Sequence, residues 1–391
     1  MLRNEIDTLL TNLLDSYPNV TDINMTVGKP FQVQTDEGLL PVQINPPVLQ
    51  LTPFQTEVLA LNLLQGNPAL FIDLLKKGSC ECSYQVGTKA RFRVNVFRQR
   101  GHYTIVLKKL STQVPSINQL TLPKIFYKIP EERKGLILIA GSMGSGKSTT
   151  MAAIVQHINE TRMEHILTLE DPIEFEYQPV KATFNQRELG SDFFSMEEGF
   201  HNALRQSPNV IVAGEIKDRE AMDIAFTAAE NYLVLSTYQS SSISLAVGHI
   251  IGMFKKEEEE EIRKRFAESF RWIVCQKLVP KTKGGRIPIF EILVQNFRTK
   301  DIVIQGESEN KQFYDVMAKG TLGMQTFDQN LLALAKAELI TEETAKNFCT
   351  RKTEVGLGLD KIKVAKGLVA SDLGILEMVG HTPNPPQPPK S

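Results

Sequence analysis

One stretch constrains this chain more than any other: "GLILIAGSMGSGKSTTMAAIVQHINE", residues 135–160. An apolar run, "LILIA" (136–140), enters a glycine-rich turn, "GSMGSGKSTT" (141–150), and the chain leaves with apolar residues at helical spacing. The turn matches G-x-x-x-x-G-K-[ST] in full. Gly141, Gly144 and Gly146 let backbone N–H groups turn inward, so the loop through Ser142, Ser145 and Thr149 reads as a cradle for nucleotide phosphates. Lys147 is placed to reach the β- and γ-phosphates, and Ser148 to ligate Mg²⁺. The helix that follows adds the positive end of its dipole. A buried strand before the loop and a helix after it is the context this motif needs.

The strand does not stand alone. "HILTL" (165–169), "VIVA" (210–213) and "YLVLST" (232–237) are further short apolar runs, separated by helical patterns such as "TTMAAIVQHINE" and "REAMDIAFTAAEN". Continuous apolar strands alternating with helices predict a parallel sheet covered on both faces. In such sheets the ligand sits beyond the carboxyl ends of the strands. The residues that follow each run are therefore informative: Glu170 and Asp171, Gly214 and Glu215, Tyr238 and Gln239. Glu215 is suited to hold Mg²⁺ through water or to polarise an attacking water. "LEDPIE" adds Glu170, Asp171 and Glu174, three acids that repel one another unless a cation such as that of Mg²⁺–ATP is near. On these grounds Glu215 is a candidate catalytic carboxylate, with Glu170, Asp171 and Glu174 as further acids at the same edge.

Residues 1–112 read as a small α+β domain. "EIDTLLTNLLDSY" has helical spacing, whereas "INMTVGKPFQVQ" and "RFRVNVFRQRGHYTIVLKKL" alternate as strands do. A hairpin turning near "QRGH" has Phe92, Val94 and Val96 on one face and Arg91, Arg93 and Asn95 on the other. Arg91, Arg93, Arg98, Arg100, Lys108 and Lys109 form a basic set. Its readings are transition-state charge neutralisation from outside the P-loop domain, a solvated strand face, or a nucleic-acid patch. Residues 113–134, rich in proline and polar residues, read as an exposed linker, and 135–254 as the ATPase core. Residues 255–370 read as mainly helical, with Ile262, Phe266, Phe270, Ile273 and Val274 at helical spacing and Glu257–Glu261 as a solvated helix start. The proline-rich tail, 371–391, reads as disordered.

Composition narrows the function classes. A length of 391 residues suits two or three domains, and a net charge of −1 points to neither nucleic acid nor disorder. No apolar run approaches the ~20 residues of a membrane span, and the N-terminus lacks the apolar core of a signal peptide, so a cytoplasmic address is expected. Four cysteines without a CxxC pair read as reduced thiols, not a zinc site.

In order along the chain, "ARFRVNVF", "GSMGSGKSTT", "HILTLEDPIEFEYQ", "NQRELG", "ALRQSPNVIVAGEIKDRE", "FTAAEN" and "GMQTFDQNLLAL" resemble the PilT/PilU family of type IV pilus retraction ATPases, within the secretion-ATPase superfamily. The resemblance runs from about residue 20 to about 345, and "LGMQTFDQ" with the long C-terminal region looks closer to the PilU branch. It implies an α/β chain with an N-terminal PAS-like α+β domain, a RecA-like P-loop domain with a parallel sheet, and a helical C-terminal extension. It implies a homo-hexamer that binds ATP and Mg²⁺ between the two domains and pulls a pilus through an inner-membrane platform protein. Glu215 becomes the Walker B glutamate, Glu170 belongs to the acidic box, and Arg93 matches an arginine that reaches the nucleotide. Two positions depart from the pattern. Lys108 stands where the family has a second arginine, keeping the charge but losing the planar fork. Tyr238 stands where a histidine is expected, and a tyrosine does not titrate near neutral pH. The departures lead to the expectation of a chain that binds ATP well but hydrolyses or couples it weakly alone, accessory to a PilT-like partner. The alternatives are a regulatory subunit that hydrolyses nothing, and a secretion or DNA-transfer ATPase on the same fold.

Overall fold

The computed structural model describes residues 3–44, 47–110 and 113–366. The tail read as disordered lies outside them. The described residues form two compact units, one of those up to 277 with 291–324, the other of 278–290 with 325–366.

The first unit begins with an antiparallel sheet. Its strands are β1 (Asp22–Met25), β2 (Gln32–Thr35), β3 (Gly38–Pro41), β4 (Ser79–Val86), β5 (Ala90–Gln99) and β6 (His102–Leu110), in the order β3-β2-β1-β6-β5-β4. Helices α1 (Arg3–Ser16), α2 (Pro53–Leu63) and α3 (Pro68–Lys77) accompany it. Local chemistry sets their ends. Thr52 and Gln55 form a capping box at the start of α2, and Asn67 caps α3. The β5–β6 hairpin turns at Arg100 and Gly101, both at positive φ, as a two-residue connection between right-twisted strands requires. As the alternation predicts, Phe92, Val94 and Val96 are buried, while Arg91, Arg93 and Asn95 take the other face.

The second sheet of this unit is β13-β12-β7-β11-β10-β8-β9. Its strands are β7 (Gly135–Gly141), β8 (His165–Glu170), β9 (Thr183–Glu188), β10 (Val210–Glu215), β11 (Leu233–Gln239), β12 (Phe270–Pro280) and β13 (Arg286–Val294). From β12 through β9 all neighbours run parallel. Crossover helices α4 (Lys147–Thr161), α5 (Met196–Arg205), α6 (Arg219–Ala229), α7 (Ile243–Gly252) and α8 (Glu259–Ser269) connect the strands. All four predicted core strands are present, and each is buried nearly throughout because helices cover both faces. The unit also contains α9 (Phe297–Gln305) and α10 (Phe313–Met317).

Two expectations are corrected. Ile262 and Phe266 lie on α8, but that helix stops at Ser269, and Phe270, Ile273 and Val274 belong to strand β12. A continuous apolar run buried on every side carries no period of its own, and the β-branched and aromatic content of "FRWIVC" suits the sheet. The segment from residue 113 to 134 is also less exposed than read. Phe126 and Ile129 sit in two short 3₁₀ turns and are buried, and Arg162 donates to the carbonyls of Pro130 (2.6 Å) and Glu132 (2.8 Å). Glu258 and Glu259 in the acidic run are paired, with Arg219 and Arg263 respectively.

In the second unit α11 (Phe327–Lys336), α12 (Glu342–Phe348) and α13 (Lys352–Ala365) pack with the residues at the tips of β12 and β13. "QTFDQ" explains part of it. Thr326 and Gln329 form a capping box at the start of α11, and the buried Asp328 accepts from the backbone N–H of Thr350 (2.7 Å) and Arg351 (2.9 Å).

Within the first unit a charged cluster joins the two sheets. Arg91 on β5 donates to Glu188 on β9 (2.7 Å), to Glu176 (3.0 Å) and to Ser83 on β4 (2.8 Å). Glu188 also accepts from Ser83 (2.7 Å) and from the N–H of Ile173 (3.1 Å). The Arg91 and Glu188 side chains are only 14% and 7% exposed, so each charge depends on the other. Arg91→Met is therefore expected to lower the unfolding free energy by about 3–5 kcal/mol, read by urea denaturation. Adding Glu188→Leu should recover part of that loss, because the stranded carboxylate is gone.

Candidate nucleotide site

The parallel strands deliver their polar ends to one edge, and the register gives the order. Gln276 on β12 is level with Gly141 on β7, which is level with Gln239 on β11. Tyr238 pairs with Ala140, Thr237 with Glu215 on β10, and Glu170 on β8 with Glu188 on β9. Tyr238 thus stands on the strand between the phosphate loop and Glu215.

The loop is built from close contacts. A side chain on Gly141 would bring its Cβ to 2.4 Å from Ser145 Oγ and 2.6 Å from Gln276 O. Gly146 has φ +87°, and a Cβ there would meet Gln276 Nε2 at 2.9 Å. Both positions therefore require glycine. Lys147 lies across the loop, its Nζ donating to the carbonyls of Gly141 (2.9 Å) and Ser142 (3.1 Å). Burial lowers the pKa of this ammonium, and the carboxylates of Glu215 and Glu174 act against that shift. Ser142 and Gly144 are exposed, whereas Ser148 and Thr149 are half-buried in the first turn of α4.

These residues fit an anionic phosphate chain. Ser145 Oγ is buried without a hydrogen-bond partner, α4 starts without a side-chain cap, and the loop carries a cation and no acid. Among the described residues no group of three or more His, Cys, Asp or Glu side chains is arranged to hold a metal. A divalent ion here would draw on Ser148, Glu215 and the ligand's own oxygens.

Comparison with known proteins agrees with this geometry. The family model described as "Type II/IV secretion system protein" matches residues 81–346. The chain belongs to that family. It is 32% identical over 329 residues to the type IV pilus retraction ATPase PilT of Pseudomonas aeruginosa, covering 83% of this chain and 93% of that protein. It is 33% identical over 328 residues to the type IV pilus ATPase PilU of the same organism, covering 83% of this chain and 84% of that one. A crystal structure of the pilus retraction motor PilT with bound ADP superposes with a TM-score of 0.79 at 31% identity, covering 89% of this chain and 98% of that one. PilT and PilU thus match at nearly equal identity, and the α/β architecture with an N-terminal domain and a RecA-like ATPase domain is that of the family.

In this family member the acidic residues hold distinct positions. Glu170 Oε1 accepts from Thr168 Oγ1 (2.6 Å) and Gln186 Nε2 (3.1 Å). Gln186 also donates to the carbonyl of Phe175 (2.9 Å) and accepts from the N–H of Tyr177 (2.9 Å), fastening the acidic loop to β9. Asp171 lies 3.6 Å from Lys217. Glu174 accepts from Arg93 Nη2 (3.2 Å), whose Nε lies 3.1 Å from Glu81. Lys108, directly opposite Arg93 on β6, is exposed. Tyr238 is buried, and its hydroxyl pKa is raised by that burial and then by Glu215. Sequence reasoning gave no role to Gln186, Thr168 or Gln276. Gln186 lies in the quoted "NQRELG" block, but its role is visible only once β9 lies beside β8.

Burial pushes the Glu170 carboxyl up to about 7, against hydrogen bonds from Thr168 and Gln186 that pull it down. The folded protein therefore holds this proton more tightly than the unfolded chain. The contribution to stability is complete below the ordinary glutamate range and is lost as pH rises through about 7. Urea unfolding at pH 5 and pH 8 checks this: wild type should lose more stability across that interval than Glu170→Gln, which has no proton to release.

Proposed function

We propose that this chain is an ATP-hydrolysing motor subunit of type IV pilus retraction. The observation that carries the reading is the contact of Arg93 with Glu174, at the edge where Lys147 and Glu215 lie. A cation from the antiparallel sheet thereby rests on the acidic loop of the ATPase sheet. A change of charge at that edge alters the balance holding one sheet to the other, which is what coupling turnover to movement requires.

Each residue then has a role. The N–H groups of Gly141–Thr149 and the Lys147 ammonium hold the phosphates of ATP. The Ser148 hydroxyl, and Glu215 through water, hold Mg²⁺, which when bound supplies positive charge to the phosphate oxygens. Glu215 and Glu170 orient the attacking water, and Glu170, with its carboxyl near neutrality, takes up the proton. Arg93 and Lys108 meet the nucleotide from the antiparallel sheet. We divide the chain at residues 112, 134, 254 and 370 into an N-terminal PAS-like domain, linker, ATPase core, C-terminal region and tail. The working assembly is a homo-hexamer in the cytoplasm, at the inner membrane through a platform protein, with a PilT-like ATPase as hetero-partner. No helix among the described residues is long and apolar enough to cross a membrane.

Tyr238 and Lys108 favour a second reading, a subunit that binds ATP but turns it over slowly unless a PilT-like partner shares the ring. A buried neutral phenol beside Glu215 offers a hydrogen bond but no titrating proton. Steady-state phosphate release by the purified chain tests the motor reading. Glu215→Ala should reduce turnover by about 10²-fold or more, and Lys147→Ala should abolish nucleotide retention. The double variant Tyr238→His with Lys108→Arg should raise turnover above wild type; an unchanged rate would rule out the accessory reading.

A further inference from the structure

We propose that Gln276 is a positioning residue for the nucleotide, holding the phosphate loop in the form that presents its amides; the inference rests on the nucleotide-binding reading above. Gln276 is on β12, in register with Gly141, and is 2% exposed. Its Nε2 donates to the carbonyl of Ser145 (2.7 Å), and its Oε1 accepts from Thr150 Oγ1 (2.8 Å). One side chain therefore fixes the loop on both sides of Lys147.

The consequence follows from peptide geometry. In a planar trans peptide the N–H points opposite to the preceding carbonyl. Because the Ser145 carbonyl is turned to Gln276, the Gly146 N–H is turned away from it, towards the concave side of the loop. Without the Gln276 bond the Ser145–Gly146 peptide plane is held less firmly, since Gly146 on its far side has no Cβ to restrict it. The Cβ that Gly146 lacks would collide with Gln276 Nε2, so the glycine and the glutamine are matched. The Ser145 carbonyl, which can only accept, fixes which end of the amide faces it. The Thr150 hydroxyl then donates to Oε1 and anchors the other end.

The test uses the full-length chain and two variants. Gln276→Met keeps the unbranched shape without either hydrogen bond, and Thr150→Val removes only the donor to Oε1. Affinities for ADP and adenosine are measured by displacement of a fluorescent ADP analogue, with a thermal melt on each sample. Gln276→Met is expected to weaken ADP by about tenfold, the effect of one to two hydrogen bonds, while adenosine, which has no phosphates, changes little. Thr150→Val should weaken ADP by a smaller factor and add nothing on the Gln276→Met background, because the two act as one unit. A wild-type ratio of ADP to adenosine affinity in both folded variants would overturn the proposal and assign Gln276 to packing alone. If Gln276→Met does not fold, Thr150→Val alone decides by the same ratio. Failure of the wild-type chain to bind the ADP analogue would instead overturn the nucleotide reading, and this inference with it.

Discussion

The pairing of β7 between β11 and β12 is the constraint on which the site depends. Every residue of β7 is buried, and its backbone is satisfied on both sides by parallel neighbours. Its carboxyl end is where the chain must leave the sheet, and it does so through a turn in which Gly141, Gly144 and Gly146 lack side chains. α4 then starts without a side-chain cap, so the N–H groups of its first turn have no partner within the helix. A buried strand, a glycine turn and an uncapped helix thus offer backbone N–H groups to an anion, with the Lys147 ammonium across the loop. The neighbours then decide what the site does. β12 supplies the amide that orients the loop, β11 supplies Tyr238, and β10 and β8 supply the carboxylates.

The two arginines of β5 illustrate how one face of a strand serves two purposes. Arg91 is sunk against Glu188 and has three oxygen partners, so separating it strands a charge in a poorly solvated place. Arg93, two residues along the same face, is about a third exposed, as is Glu174, and a pair so wetted is worth little in water. The first arginine therefore holds the sheets together, whereas the second can exchange partners at small cost. A motor needs both kinds of contact between the parts it moves.

The parallel core and its loop were legible because they rest on local chemistry: apolar runs, glycines at fixed offsets, acids just past strand ends. The β5–β6 hairpin was legible for the same reason, since its alternation survives in the burial of Phe92, Val94 and Val96. What was not legible depends on partners distant in sequence. Strand β12 reads as helix in the sequence because a run buried on all sides has no polar face to report its period. Gln276 carried no signal because its partners, Ser145 and Thr150, precede it by more than a hundred residues. Glu188 and Gln186 were likewise silent. Their roles come from β9 lying beside β8, and β9, with little apolar content in "TFNQRE", does not announce itself as a sheet strand.

The departure at Tyr238 changes how protons are handled along this edge. A histidine between the phosphate loop and Glu215 would titrate near neutrality and alternate between donor and acceptor. The phenol that stands there is pushed further from neutrality by burial and by the Glu215 carboxylate, so it stays protonated. Glu170, in contrast, is brought to about 7 by its surroundings. That carboxyl is two strands from Tyr238, on β8, and its basicity is set by burial, which the hydrogen bonds from Thr168 and Gln186 oppose. Gln186 also fastens the loop that carries Glu174, the carboxylate on which Arg93 rests. Proton uptake and the contact between the sheets therefore share one amide.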